Sequence, residues 1–321
     1  MNTINSHMLF LYTTLKSRLI RRGLIEKGLD YTIINHPKIG GKKLLSAKEI
    51  HLVLSEHING DTPFMAGRFG SVELLAVAKQ ITQLSYKTQL TLDTLCNNAG
   101  FFPNDARFLP RFAETMMEAM SFSDIQGVWY LPYEDYFVRE YLPNDCLLTE
   151  GRYFEPWFSL NPWTRALEGK TVMVIHPFAD SILNQYSRRD LIFDPQTGYL
   201  PKFDLKVVKA VQTIAGTKDD RFLTWFDALD YMTEEALKTD FDVAIIGCGA
   251  YGYPLAANIK KAGKKAIHLG GVTQALFGIK GRRWELDKNP IVRDMFNEYW
   301  IRPNENEIPQ DNKKVENGCY W

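Results

Sequence analysis

The sequence predicts an α/β fold: a Rossmann-like, mainly parallel sheet with flanking helices, preceded by an N-terminal helical extension. Two patterns carry this. Short apolar runs alternate with helix-like periodic segments through the second half of the chain, the spacing of βα units. A glycine-rich turn, Gly247-Cys248-Gly249-Ala250-Tyr251-Gly252, lies between one such run and a helix-like segment. The composition agrees: 321 residues, 45% hydrophobic and 24% charged, is globular usage and long enough for a large core.

The elements follow in order. Residues 9–27 read as a basic amphipathic helix, with Leu11, Leu15 and Leu19 on one stripe and Arg18, Arg21 and Arg22 elsewhere. Ser46 and Glu49 form a capping box ahead of Ile50, Val53 and Leu54, which starts a second helix. Residues 62–69 read as a strand, 72–82 as a helix, and 104–121 as a helix that tolerates Pro110 only by a break or in an early turn. Residues 128–131 read as a strand, and 130–163, dense in aromatics and prolines, as irregular. Strands are expected at 171–176, 242–246 and 265–269, and helices at 179–189, 225–238 and 251–262; residues 207–214 stay undecided. The polar tail from Pro303 reads as loop, docked through Cys319, Tyr320 and Trp321. The division expected is an N-terminal extension over 1–45 and one domain over 46–321.

Charge is balanced, 38 basic against 38 acidic residues. A nucleic-acid binder carries a basic excess, so no nucleic-acid partner is expected. The balance is a sum of opposed regions: residues 1–50 carry a net +6, residues 260–293 a net +7, and the rest −13. The first window points either to attachment at an anionic membrane surface or to a solvated helix on the main domain, the reading preferred here. Four scattered cysteines with no C-x-x-C pair argue against structural zinc and a disulfide framework, and for reduced thiols in the cytoplasm. No apolar run reaches the roughly 18 residues of a membrane span, and the N-terminus lacks the pattern of a signal peptide.

The glycine turn is the strongest local motif. Gly247, Gly249 and Gly252 would let backbone approach a phosphate, and the helix start at Tyr251 would offer free N–H groups to it. A tight turn without a ligand is the plain alternative. Three ligand classes compete. A dinucleotide or S-adenosylmethionine site wants an acid at the end of the next strand, about 20 positions on. Here that strand ends His268-Leu269-Gly270-Gly271, without one. A nucleotide-diphosphate sugar needs amides and positive charge instead, and the loop Gly278–Trp284 supplies Lys280, Arg282 and Arg283 to neutralise a leaving group.

Earlier in the chain, Arg68-Phe69-Gly70-Ser71-Val72-Glu73 stands between a strand and a helix. Ser71 suits an N-cap and Glu73 a first helical turn. The ligand-facing reading has Arg68 pairing a phosphate and Glu73 acting as an acid or metal ligand. With the later segments Ile246–Gly249, Leu255-Ala256 and Ala266–Gly271, this stretch resembles the bacterial GT-D-type glycosyltransferases, above all polysaccharide-locus members with an Arg-Phe-Gly-Ser-x-Glu turn. Those also share the His176–Ser181 segment and the ending Gly318–Trp321, so the resemblance runs over residues 60–321 in order.

The resemblance implies a GT-D-like domain that transfers a sugar from a nucleotide-diphosphate donor, a UDP-sugar first among them. The acceptor it implies is a hydroxyl of a glycan or lipid-linked glycan in surface-polysaccharide synthesis, in the cytoplasm or at the inner face of the membrane. Arg68, Gly70, Ser71, the Gly247–Gly252 turn with Tyr251, Gly271, Lys280, Arg282 and Arg283 would hold the donor. Glu73 would position the donor or a divalent manganese or magnesium ion. Ser71 stands where the family carries Asp, which weakens the metal expectation, and the basic loop would then take over charge neutralisation. His176, Asp180 or His268 is the expected base. A capping role for Asp180 or Ser181 competes with this, and no G-x-S-x-G elbow supports a hydrolase. Tyr153, Phe154, Trp157 and Trp163 are candidates for stacking on sugar rings.

Overall fold

The computed structural model of the chain describes residues 38–82, 88–131, 133–287 and 290–321. The helix expected over 9–27 lies outside the described residues. Among the described residues nine strands form one sheet. They are β1 (Lys38–Ile39), β2 (Lys42–Leu45), β3 (Met65–Arg68), β4 (Ile125–Val128), β5 (Leu147–Glu150), β6 (Thr171–His176), β7 (Asp204–Lys209), β8 (Val243–Ile246) and β9 (Lys265–His268). The order across the sheet is β1-β2-β5-β4-β3-β9-β8-β6-β7, parallel throughout except for β1 against β2.

The longer helices are α1 (Ala47–Asn59), α2 (Ser71–Thr82), α3 (Thr88–Ala99), α4 (Leu109–Met120), α5 (Glu134–Glu140), α6 (Ala179–Tyr186), α7 (Trp225–Leu237) and α8 (Gly252–Lys261). The capping box at Ser46 and Glu49 starts α1. Pro110 sits in the first turn of α4, after a 3₁₀ turn over Ala106–Phe108.

Both faces of the sheet are covered, and strand alternation assigns the side chains. In β6, Met173 and Ile175 join the layer of α2, α3, α4, α7 and α8, while Val172 and Val174 join the layer of α1 and α6. In β8, Ala244 and Ile246 face the first layer and Val243 and Ile245 the second. Such near-continuous apolar strands are what a parallel sheet buried on both faces requires. Right-handed crossovers then carry β6 to α6 on one face and its neighbour β8 to α8 on the other. A crevice opens where their connections diverge, at the carboxyl ends of the strands.

Several boundaries differ from the sequence reading. The Gly40-Gly41 turn, with φ of +59° and +83°, closes a β1–β2 hairpin, and β2 pairs with β5. The sheet therefore begins upstream of residue 46. The strand expected at 128–131 ends at Val128. The N–H of Trp129 is taken by the Glu134 carboxylate, and Tyr130 turns left-handed at φ 56°. The stretch read as irregular contains α5 and β5, and α3 was not foreseen. The undecided 207–214 region is the end of the edge strand β7 and the loop after it. All four cysteines are free thiols. Among the described residues no helix is long and apolar enough to cross a membrane.

Candidate functional site

A cleft of about 610 Å³ lies over the carboxyl ends of the parallel strands. Its floor is made by Arg68 (end of β3), His176 (β6), Gly247 (after β8) and His268 (β9), with Trp129 and Arg152 from the loops after β4 and β5.

Arg68 is turned into the protein. Its Nε donates to the Leu269 carbonyl at 2.9 Å, Nη1 donates to Gly151 O at 2.8 Å and to Glu155 Oε1 at 3.2 Å, and Nη2 donates to Leu269 O. The guanidinium also lies 5.2 Å from the Trp129 ring centre. Most of its donors are therefore committed within the fold, and Glu155 neutralises its charge. Burial raises the Glu155 carboxyl pKa, with Arg68 pulling the other way.

The helix after this strand starts at Ser71, with Leu74 N–H donating to Gly70 O, so Gly70, not Ser71, is the capping residue. Glu73 explains why. Its carboxylate folds back over Gly70 into the space that a Cβ there would need. Ser71 is left exposed in the cleft mouth. Burial pushes the Glu73 carboxyl pKa up, opposed only by a bond to its own backbone N–H. Among the described residues Glu73 is thus a cleft-facing carboxylate with no cation paired to it.

The glycine turn is filled from within the protein. A Cβ on Gly247 would lie 2.6 Å from Thr273 Oγ1 and 2.7 Å from Gly270 O. Gly249, at φ +59°, has the Ala99 carbonyl 2.8 Å from where its Cβ would be. A Cβ on Gly252 would enter the His268 ring. The glycines are needed for close packing, whatever else they do. Tyr251 is a core residue: it stacks on Trp225 at 5.1 Å and its phenol meets Thr213 Oγ1 at 2.9 Å. No side chain caps the 3₁₀ turn Gly249–Tyr251 that leads into α8, and Gly247, Cys248, Gly249 and Tyr251 line the cleft.

Both cleft histidines are held neutral by burial. His176 Nδ1 accepts the Phe178 N–H at 3.0 Å, which places the proton on Nε2. Burial lowers its pKa to about 3, so the ring is neutral and offers a donor. His268, 7% exposed, is likewise pushed to about 3 by burial, helped by Arg68, and its Nδ1 is shut in without a partner.

Asp180 stands outside the cleft, half-exposed, 3.5 Å from Lys209. The start of α6 is capped by neither Asp180 nor Ser181. Glu307, buried in the tail, accepts Asp180 N–H at 2.8 Å and the Ser181 hydroxyl.

The basic window is likewise dispersed. Lys260, Lys261 and Lys264 pair with Asp124, Glu118 and Asp240. Lys280 lies over Phe296, and Arg282 Nη1 donates to Asn317 O at 3.0 Å; neither lines the cleft. Lys288 is outside the described residues. Arg283 does reach the cleft, paired through Nη2 with Glu316 at 2.6 Å. Among the described lining residues three arginines face four carboxylates, so the cleft is not the strongly positive site that the local composition suggested.

Of the aromatic candidates, Trp157 lines the cleft, whereas Phe154 and Trp163 are core. The sequence reading missed Trp129, Phe158, Trp284, Glu155 and the cleft-facing role of Tyr320 and Trp321. The docked aromatic ending was the one available signal; the others come from loops that only the sheet order brings together.

Glu73 with the Ser71 hydroxyl does not constitute a metal centre, and no group of three or more His, Cys, Asp or Glu gathers to hold an ion among the described residues. No step below passes through a metal.

No protein-family model matches the chain, and no curated protein does. Two solved structures are similar in trace. One is of the highly conserved domain of unknown function 1792, said to have a distinct glycosyltransferase fold (TM-score 0.43, 11% identity, 82% of this chain and 95% of that one). The other is a selenomethionine form of the same domain (TM-score 0.42, 11% identity, the same coverage).

Proposed function

We propose that the protein is a glycosyltransferase. It moves a sugar from a nucleotide-diphosphate donor, a UDP-sugar first among them, to a hydroxyl of a glycan or lipid-linked glycan in surface-polysaccharide synthesis. The observation that carries this reading is Glu73, a carboxylate without a cation partner among the described residues. It stands in an aromatic-walled cleft at the carboxyl edge of a parallel sheet. The motif resemblance around Arg68–Glu73 and Gly247–Gly252 supports the same chemistry.

Glu73 is the general base. Its raised proton affinity suits it to take the acceptor hydroxyl proton as the acceptor oxygen bonds to the sugar C1 and the C1–O bond to the diphosphate breaks. The electron pair leaves on the diphosphate. Arg283 and the positive end of the 3₁₀ turn Gly249–Tyr251, which runs on into α8, stabilise that charge. His176 Nε2–H is a neutral donor to donor or acceptor oxygens. Trp157 and Trp284 supply apolar faces for sugar rings. The absence of an acid at the end of β9 speaks against a dinucleotide.

The test pairs binding with turnover. Thermal shifts with UDP, GDP, CMP, NAD and S-adenosylmethionine, with and without manganese, should favour a nucleoside diphosphate. Stabilisation by NAD alone overturns the reading. Glu73→Gln should keep donor binding and lose transfer by about 10²-fold or more.

A further inference from the structure

We propose that Tyr320 is a ligand-binding residue of this cleft, its phenol O–H donating to the diphosphate oxygens that Arg283 pairs. The inference rests on the nucleotide-diphosphate reading above and extends it to Tyr320, which that reading gave no role.

The segment is held in place from several sides. Gln274 Nε2, fully buried, donates to the Tyr320 carbonyl at 2.9 Å, and Arg283 N–H donates to the Cys319 carbonyl at 2.9 Å. Trp321 meets Tyr320 edge-on at 5.8 Å and Phe178 at 6.4 Å, which ties it to the His176 loop. The Tyr320 ring lies across Gly271, where a Cβ would come within 2.5 Å of Cε1. The glycine at 271 therefore makes room for the tyrosine.

This anchoring fixes the phenol without satisfying it. The Tyr320 hydroxyl has no hydrogen-bond partner among the described residues and is not shut off from the cleft. A tyrosine held this firmly ordinarily finds one. The Arg283 guanidinium stacks 4.7 Å over the same ring. Arg283 gives Nη2 to Glu316 and to Cys319 Sγ, which leaves Nε and Nη1 without partners among the described residues. One planar cation and one phenol thus present donors side by side. The ligand group that takes several parallel donors next to a cation is an anionic oxygen cluster, a diphosphate before a neutral sugar. Glu73 is within electrostatic reach of the phenol. Burial, with smaller pushes from Cys319, Glu316 and Glu73, raises the phenol pKa against the pull of Arg283, so at neutral pH the group stays protonated and remains a donor. The arrangement sets the leaving group against Arg283 and Tyr320, in the same cleft as Glu73.

The experiment is calorimetric titration of wild type and Tyr320→Phe with UDP and with uridine, and with GDP and guanosine as a second pair. Phenylalanine keeps the ring on which Arg283 and Gly271 pack, and the melting temperature of the variant is the folding control. The expected result is about tenfold weaker binding of the diphosphate, the size of one lost hydrogen bond to a charged group, with nucleoside binding unchanged. Equal diphosphate affinity in wild type and variant overturns the role of Tyr320 while the donor reading stands. Equal loss for nucleoside and diphosphate also overturns it, because the hydroxyl would then not be reading phosphate. If wild type binds neither diphosphate, the donor reading itself falls, and this inference with it.

Discussion

His176 Nδ1 accepts the backbone N–H of Phe178 at 3.0 Å, and that bond turns a candidate base into a donor. In sequence, a histidine at the end of a parallel strand leaves a catalytic and a structural reading open. Here the ring nitrogen that would take a proton is already occupied, and burial holds the pKa near 3. The acid limb of the kcat/KM profile for transfer should therefore survive in His176→Asn and vanish in Glu73→Gln. Loss of that limb in His176→Asn would return the base to His176.

Arg68 is expected to matter first for stability. Its removal strands Glu155 and the carbonyls of Leu269 and Gly151 in a buried setting. Breaking one side of a buried pair costs about 3–5 kcal/mol. Urea denaturation of Arg68→Ala should register a loss of that order, and Arg68→Ala/Glu155→Gln should recover part of it. A loss below about 1 kcal/mol, typical of exposed pairs, would mean Arg68 is free to serve a ligand instead.

Gly252→Ala should destabilise the fold by about 1–3 kcal/mol through overpacking against the His268 ring. The variant His268→Ala/Gly252→Ala removes the clash, so its melting temperature should exceed that of Gly252→Ala combined with any distant substitution of equal cost. Additivity between the two sites would show that the glycine answers to something other than the histidine.

The basic loop splits into two kinds of residue. Lys280 and Arg282, like Asp180 on α6, lie off the cleft, and replacing any of them with alanine should leave nucleotide affinity within about twofold. Arg283→Ala should weaken nucleoside diphosphate binding by about tenfold or more. Equal effects at 280, 282 and 283 would instead indicate a diffuse electrostatic field.

Glu134 gives the fold a proton linkage. Its carboxylate is buried, accepts the N–H groups of Trp129 and Leu131, and burial raises its pKa to about 7. With the folded value above the unfolded one near 4.5, the folded state binds the extra proton. The stability this contributes is present below about 4.5 and is lost as pH rises through about 7. Neutral His176 and His268 act with the opposite sign, weakening the fold as pH falls from 6.5 towards 3. In Glu134→Gln, denaturation midpoints between pH 5 and 8 should lose the downward slope. An unchanged slope would assign the linkage to another group.

The sequence alone determined the alternation of strands and helices, the capping box at Ser46, β6 over its full length, and the two turns that meet at the cleft. Each is a local matter, set by apolar periodicity or by a cap within four residues. Five residues it singled out, Arg68, Glu73, His176, Gly247 and His268, line one cleft. What each of those residues does was decided by tertiary structure. Arg68 meets Leu269 across 201 positions, Tyr320 reaches Gly271 from a distant segment, and α6 is capped by Glu307 and not by its own Asp180. The basic window lost its apparent purpose for the same reason. Charge counted along the chain says nothing of the direction in which a helix or loop points it. Proton affinity, hydrogen-bond partnership and the room around a glycine depend on neighbours that only the folded sheet brings within a few ångströms.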